Sequence, residues 1–140
     1  IRMFSRILVG LDGSEISKTA FTRALEFAKQ DNGELHAVVA ITPLHSRNHG
    51  NDALITKSES EASSLLEDLE HVAKENGVSY TSHLASGNPG ELILETAEKI
   101  CADLIVVGSL GKTHMERILL GSVSAYVTKY GKTNIIVIRN

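Results

Sequence analysis

The sequence predicts an α/β fold in which a parallel sheet carries helices on both faces. Three observations lead to this prediction. Short apolar runs of strand length alternate with longer segments whose apolar residues fall at helical spacing. Residues typical of turns and caps, mainly Gly, Asn, Asp and Ser, stand at the boundaries between them. Strands that alternate with helices join into parallel sheets through right-handed crossovers, so five strands and four helices are expected.

Composition narrows the class of protein. The 140 residues suit one domain spanning 1–140, and a 42% hydrophobic content provides a core without disulfides. The net charge of −3, with no basic patch, argues against nucleic acid as a partner. No apolar run approaches bilayer-spanning length, and no signal peptide is evident, so no membrane partner is expected. The single cysteine fits a reducing compartment, so we expect a cytoplasmic protein.

The first strand and helix have clear boundaries. Arg6 to Leu11 is an apolar run, and Asp12-Gly13-Ser14 follows it as turn and cap chemistry. Ser14 is the expected N-cap of a helix that runs to about Gln30, before Asp31-Asn32-Gly33 ends it. The next apolar run, from Leu35 to Ile41, is predicted to form the second strand.

The middle of the chain predicts two more helices and an edge strand. The longest helix is expected from about Leu54 to Asn76, and Val78 to Ala85 alternates apolar and polar residues, as in an edge strand with one wetter face. Gly87-Asn88-Pro89-Gly90 is expected to interrupt the chain. The next helix is marked by Ile93, Ala97, Ile100 and Cys101. Cys101 is expected in the core, because no cationic neighbour marks it as a nucleophile.

The most informative stretch runs from Asp103 to Tyr130. The run from Leu104 to Val107 is predicted to form a buried strand that ends at Gly108. Gly111 follows Gly108 after two intervening residues, and Gly121-Ser122 follows after nine more. A helix is predicted from Val123. At such a boundary, free backbone N–H groups and the positive end of the helix dipole attract anions, phosphate above all. Glycines allow the backbone to approach the phosphate, and the Ser122 hydroxyl can cap the helix or donate to the ligand.

Two other kinds of site are disfavoured by spacing. The run Gly108-Ser-Leu-Gly111-Lys112-Thr113 is similar to a P-loop, but that motif needs four residues before its Gly-Lys pair and this chain has two. His45 and His49 stand four apart, yet proline and glycine surround them and no third ligand is nearby, so no metal site is predicted. The sequence assigns no role to Lys112 or His114.

Three separated segments resemble the universal stress protein family in its ATP-binding branch. The spacing Gly108-x2-Gly111-x9-Gly121-Ser122 is similar to the family's ATP-binding signature. RILVGLDGSE resembles its first strand and turn, and SGNPGELILETAEKICADLIVVGS its third helix and fourth strand. The resemblance implies a Rossmann-like, adenine nucleotide alpha hydrolase-like sheet of order 3-2-1-4-5 over nearly the whole chain.

The resemblance also implies a nucleotide site. In open parallel sheets, ligands bind at the carboxyl ends of strands where the strand order reverses, so the first and fourth strands would share one crevice. The ligand implied is ATP with Mg²⁺ or Mn²⁺, held by phosphates and water because no carboxylate is identifiable as a metal ligand. The implied contacts are Asp12 to adenosine, the Ala40 backbone to adenine, Gly108 and Gly111 along ribose and phosphates, and Gly121, Ser122 and Ser124 to phosphates.

The last strand is expected to pair with a second copy of the chain. The run Ile135, Ile136, Val137 and Ile138 is very apolar. A bare apolar edge strand invites aggregation, and a partner strand across a two-fold axis prevents it. The resemblance implies the same homodimer, because family members commonly associate through this strand.

The expected function is that of a nucleotide-dependent regulatory or stress-response module. A partner protein, whose identity the sequence does not give, would recognise its nucleotide-bound state. No general base is identifiable, so ATP hydrolysis would be slow at most. Two alternatives remain open. An ATP-dependent transferase or pyrophosphatase-type enzyme would show substrate turnover with AMP release, although the short chain offers no second domain for a co-substrate. A nucleotide-free dimeric interaction module would bind no adenine nucleotide.

Overall fold

The computed structural model describes residues 3–41, 59–109 and 121–139. Within these ranges five strands and four helices alternate as the sequence predicts. They are β1 Arg6–Leu11, α1 Glu15–Asp31, β2 Glu34–Ile41, α2 Glu59–Glu75, β3 Ser79–Ser86, α3 Pro89–Ile100, β4 Leu104–Gly108, α4 Ser122–Tyr130 and β5 Asn134–Ile138. The predicted start of the second helix at Leu54 lies outside the described residues.

The strands form one parallel sheet in the order β3-β2-β1-β4-β5. This confirms the predicted five-stranded Rossmann-like arrangement. β1 occupies the centre, β3 and β5 are the edges, and the direction of winding reverses between β1 and β4. That reversal is the topological switch point, where ligand sites of open α/β sheets are found.

Helices cover both faces of the sheet, as predicted. α1 and α2 bury Ala24 and Leu66 against one face, whereas α3 and α4 bury Ile93 and Val127 against the other. Side chains along β4 alternate between these two clusters, and all of them from 104 to 107 are buried. A central parallel strand is covered on both faces in this way. In the described ranges no helix is both long and apolar enough to cross a membrane.

The caps of α1 agree with the sequence. The Ser14 hydroxyl accepts the Ser17 N–H at 3.3 Å. The helix ends at Asn32, which adopts the left-handed conformation (φ 53°) and donates its N–H to the Ala28 carbonyl. Both residue types are favoured at these positions because a short polar side chain caps the start and tolerates positive φ at the end.

Two details of α3 differ from the prediction. Asn88 caps this helix, and Pro89 and Gly90 lie inside its first turn, so the expected chain interruption is instead a helix start. Cys101 is exposed, and the expectation of a core position is wrong. The helix ends at Ile100, and the left-handed backbone of Cys101 (φ 57°) takes its side chain off the buried stripe.

Asp103 joins the amino-terminal ends of β1 and β4. Its carboxylate accepts the Ser5 N–H at 2.7 Å and the Arg6 N–H at 3.0 Å. Its own N–H donates to the Arg6 carbonyl at 2.9 Å, and its carbonyl accepts the Asn134 side-chain amide at 3.1 Å. One residue thus connects three adjacent strands at the end of the sheet opposite the switch-point crevice.

A pair of histidines connects β2 to the edge strand β3. His36 Nδ1 and His83 Nε2 lie 3.0 Å apart, and the two rings stack with centroids 5.2 Å apart. His36 Nε2 lies 3.3 Å from the carboxylate of Glu34, which also contacts Arg6. Burial, followed by repulsion from His36 and Lys99, lowers the pKa of His83. The hydrogen bond with His36 lowers the pKa of Glu34.

This arrangement predicts that the free energy of unfolding decreases as the pH falls below about 6.5, the ordinary histidine pKa. Below that pH the unfolded chain binds a proton at His83 more readily than the folded chain does. The contribution of His83 to the free energy of unfolding is therefore complete above that pH and is lost below it. Urea unfolding of His83→Gln should show a flatter pH dependence between about pH 5 and 7 than the wild type. His71→Gln, at an exposed position of α2, should keep the wild-type slope. An unchanged slope in His83→Gln would contradict the assignment.

Candidate functional site

β1 and β4 separate at their carboxyl ends. Their paired register ends at Val9↔Val106, although β1 continues to Leu11 and β4 to Gly108. On their other sides, β1 remains paired with β2 and β4 with β5 up to the last residue of each strand. The opening is therefore confined to the topological switch point. We call this opening the switch-point crevice.

Asp12 follows β1 and forms the turn into α1. Its Oδ1 accepts the Ser14 N–H at 2.8 Å, and its N–H lies 3.5 Å from Ser17 Oγ. Gly13 has φ 84°, a conformation that favours glycine. No described residue donates to the second carboxylate oxygen of Asp12. The turn thus fixes the carboxylate beside the crevice and leaves one oxygen for a ligand.

Ala40 lies just past the end of β1. The last β1–β2 pair is Leu11↔Val39, so Ala40 extends beyond it. The Ile41 carbonyl accepts the Gly87 N–H at 3.0 Å, on the β3 side. Because backbone groups of successive strand residues point in opposite directions, those of Ala40 face the β1 side, at the mouth of the crevice.

Gly108 packs closely against the first turn of α1. A Cβ at this position would lie 3.0 Å from both Cγ atoms of Ile16 and 3.3 Å from its carbonyl carbon. The packing of β4 against α1 therefore favours a glycine here for a reason independent of any ligand, because a larger residue would require Ile16 to shift by a few tenths of an ångström. The same contact brings the start of α1 beside the end of β4.

The end of β4 is hydrogen-bonded to the start of α4. The Ser109 N–H donates to the Ile138 carbonyl at 2.7 Å, and the Ser109 carbonyl accepts both the Gly121 N–H and, at 3.1 Å, the Ser124 hydroxyl. The Ser124 hydroxyl also lies 3.1 Å from the Gly121 carbonyl. Ser124 is almost fully buried, and its hydroxyl fixes the junction between β4 and α4 through the carbonyls of Ser109 and Gly121.

The amino terminus of α4 is open. Gly121 occupies the N-cap position (φ −77°, ψ 173°) and, having no side chain, provides no side-chain cap. The first N–H groups of a helix have no intrahelical acceptor, and those of the first turn of α4 have none among the residues that the structure describes, so this helix start can bind an anion. Ser122, the first helical residue, is exposed beside them.

The structure brings most of the predicted site residues to one end of the sheet. Those at its carboxyl end are Asp12, Ala40, Gly108, Gly121, Ser122 and Ser124. Five residues discussed from the sequence lie outside the described residues: Gly111, Lys112, His114, His45 and His49. Sequence reasoning did not single out Ser109, whose backbone joins β4 to β5 and to the start of α4; its position directly after Gly108 was the available signal. The ligand contacts of all these residues remain predictions.

Comparisons with known proteins agree with this architecture. The sequence profile of the universal stress protein family matches residues 3–139. A universal stress protein of Methanocaldococcus jannaschii is 36% identical over 141 residues, which cover 98% of this chain and 83% of that protein. The solved structure of UspA from Lactobacillus plantarum superposes with a TM-score of 0.80 at 26% identity and covers 99% of both chains. A universal stress protein solved in complex with cAMP, 29% identical, gives 0.75 over 97% of both chains. The chain belongs to the universal stress protein family.

Proposed function

We propose that this chain binds ATP in the switch-point crevice and acts as a nucleotide-dependent regulatory module of the stress response. The observation that carries the proposal is the separation of β1 and β4 beyond Val9↔Val106, beside the uncapped start of α4. A crevice of this kind offers free N–H groups to phosphates at the point where parallel sheets bind ligands. The cAMP complex of a family member supports an adenine nucleotide as the ligand class.

The positions of the site residues suggest an orientation for the nucleotide. The adenosine portion lies on the β2 side of the crevice, within reach of the free Asp12 oxygen and the Ala40 backbone. The phosphates lie on the other side, against Gly121 and Ser122. Gly108 lies between these two sides. Gly111, which the resemblance assigns to the ribose and phosphates, lies outside the described residues. Ser124 contributes by fixing the Gly121 backbone.

A divalent cation, Mg²⁺ or Mn²⁺, would accompany the phosphates. The only carboxylate that the described part of the crevice offers is that of Asp12, on the adenosine side. Phosphate oxygens and water are therefore the expected ligands of the ion, a coordination that suits Mg²⁺. No described side chain is positioned at the phosphate side as a general base, so hydrolysis should be slow.

A homodimer through β5 would complete the module. β5 is an edge strand whose side chains Ile135, Ile136, Val137 and Ile138 are only half-buried in the single chain. Pairing with the same strand of a second copy covers such an edge. β5 also accepts the Ser109 N–H through the Ile138 carbonyl, so the dimer interface and the phosphate end of the crevice are adjacent. A regulatory partner that binds at this junction could distinguish the nucleotide-bound protein from the nucleotide-free one.

The proposal predicts a thermal shift specific to adenine nucleotides. A ligand at about 100 times its Kd adds ~2.7 kcal/mol of stability. For a domain of this size, that free energy raises Tm by roughly 5–10 °C. The melt should be recorded with Mg²⁺ and each of ATP, AMP and cAMP, with GTP as the control. No shift with any adenine nucleotide would contradict the proposal, and an equal shift with GTP would contradict adenine contacts at Ala40.

A further inference from the structure

β3 has an open edge that lacks the usual protection against pairing with another strand. On one side it pairs with β2 over its whole length, from Glu34↔Ser79 to Ile41↔Ser86, and it is the last strand of the described sheet. Its eight residues, SYTSHLAS, include no proline, lysine or carboxylate. These are residue types that natural edge strands use to discourage pairing. The edge is therefore able to accept an added extended chain.

The β2–β3 ladder shows which backbone groups of β3 face outward. The Gly87 N–H donates to the Ile41 carbonyl at 3.0 Å, so the odd-numbered residues of β3 direct their backbone groups to β2. The N–H and carbonyl groups of Tyr80, Ser82 and Leu84 therefore point away from the sheet. These groups have no hydrogen-bond partner among the described residues. They form a row of donors and acceptors that a further strand can pair with.

A groove beside this edge is bordered by carboxylates of α2. It lies between α2 and β3 and is lined by Ser63, Leu66, Glu67, Glu70, Ser82 and Leu84. The Tyr80 hydroxyl donates to the Leu66 carbonyl at 3.3 Å, which fixes the separation of α2 and β3. Glu67 and Glu70 are exposed and form no ion pair within the described ranges. The only lysine or arginine of α2 is Lys74, in its last turn, so the surface that flanks the open edge is negative.

We propose that the open edge of β3 is a docking site for an extended, basic peptide segment of a partner protein. The backbone of the segment hydrogen-bonds to the outward groups of Tyr80, Ser82 and Leu84. Its lysine or arginine side chains at alternate positions lie in the groove, against Glu67 and Glu70. The inference is independent of the proposed nucleotide function, because β2 separates β3 from the switch-point crevice.

The negative charge of α2 disfavours a second copy of this chain as the occupant. Antiparallel pairing of β3 with itself across a two-fold axis would place α2 of both copies on the same face of the joined sheet. Glu67 and Glu70 of one copy would then approach those of the other, and like charges in an interface oppose association. A basic segment of a different protein meets the same carboxylates with the opposite charge.

A synthetic peptide in which lysine alternates with threonine tests the inference in the absence of any nucleotide. Amide hydrogen exchange followed by NMR should show that the peptide protects the N–H groups of Ser82 and Leu84, which are unpaired in the free protein. The N–H groups of Thr81 and His83 are bonded to β2 and should be protected with or without the peptide. A matched peptide with glutamate in place of lysine should not bind. Equal affinity for the two peptides, or no protection at Ser82 and Leu84, would overturn the inference.

Two variants separate the backbone contribution from the charge contribution. Ser82→Pro removes an outward N–H and leaves the β2 ladder intact, as edge strands tolerate. It should bind the lysine peptide about tenfold more weakly and melt near the wild-type temperature. Glu67→Gln combined with Glu70→Gln should weaken binding roughly threefold to tenfold and reduce its dependence on salt. The control is Glu95→Gln combined with Glu98→Gln, which removes the same charge from exposed positions of α3 and should bind like the wild type.

Three results with these proteins would contradict the docking site. Unchanged affinity in a folded Ser82→Pro variant would exclude strand addition at this edge. Equal weakening in the two glutamate double variants would mean that net charge alone attracts the peptide, and this comparison stands even if Ser82→Pro does not fold. Protection of Ser82 and Leu84 that rises with protein concentration, without peptide, would identify a second copy as the occupant and overturn the basic partner.

Discussion

Gly121→Val should abolish ATP binding and leave the fold intact. The backbone of Gly121 (φ −77°, ψ 173°) is in the extended region, which valine adopts readily, and its N–H can still donate to the Ser109 carbonyl. The added methyl groups, however, stand where a phosphate must approach the free N–H groups of the first turn of α4. Losing two or more hydrogen bonds to a charged ligand corresponds to at least ~100-fold weaker binding. Calorimetric titration with ATP and Mg²⁺ measures it.

The control for this variant lies on the same helix. Ala125 is exposed one turn further along α4, and Ala125→Val adds the same branched side chain away from the crevice. It should bind ATP like the wild type and lose only the few tenths of a kcal/mol that a β-branched residue costs a helix, roughly 0.5 kcal/mol. Wild-type affinity in Gly121→Val would place the phosphates elsewhere.

Asp103→Ala should be among the most destabilising single changes on the polar surface of this fold. The carboxylate accepts two backbone N–H groups, from Ser5 at 2.7 Å and Arg6 at 3.0 Å, where the chain enters the central strand β1. Hydrogen bonds to charged groups contribute about 1.5–3 kcal/mol each, and partial exposure reduces this, so we expect a loss of about 2–4 kcal/mol. Tm should fall by roughly 5–15 °C. Urea unfolding followed by circular dichroism measures the loss.

Asp31 offers a comparison, because its carboxylate also accepts two backbone N–H groups, although on a single oxygen. Its Oδ2 accepts the N–H groups of Met3 and Phe4 at 3.1 and 2.8 Å, but it joins the segment before β1 to α1 and does not connect two strands. Asp31→Ala should therefore cost less than half as much as Asp103→Ala. Equal losses of unfolding free energy in the two variants would show that connecting β1 to β4 contributes no additional stability.

Features that depend on neighbours in sequence were predictable from the sequence. The start and end of α1 follow from Ser14 and Asn32, because each cap requires a particular residue type at one position. The apolar runs gave the strands, and the alternation with helices gave a parallel sheet. The strand order came from the family resemblance, and the structure confirms it.

Features that depend on contacts between distant segments were not predictable. Gly108 was assigned to ligand approach, but the close contact with Ile16 is a second reason for glycine that only the folded chain reveals. The roles of Asp103 and the pairing of His36 with His83 likewise arise only when strands far apart in sequence become neighbours. The sequence could indicate which residues surround the crevice. It could not indicate that Ser109 is buried there, because burial is set by the whole fold.

The central position of β1 has a consequence for the synthesis of the chain. β1 gains β2 as a neighbour soon after it is made, but Arg6 and its partner Asp103 are 97 positions apart. At the usual rate of translation, one edge of β1 remains bare for about 5–20 s while that distance is synthesised. The strand whose edge is unpaired contains three residues that are wholly buried in the finished protein: Ile7, Leu8 and Val9. The nascent chain therefore carries an apolar strand with one unpaired edge until β4 emerges from the ribosome.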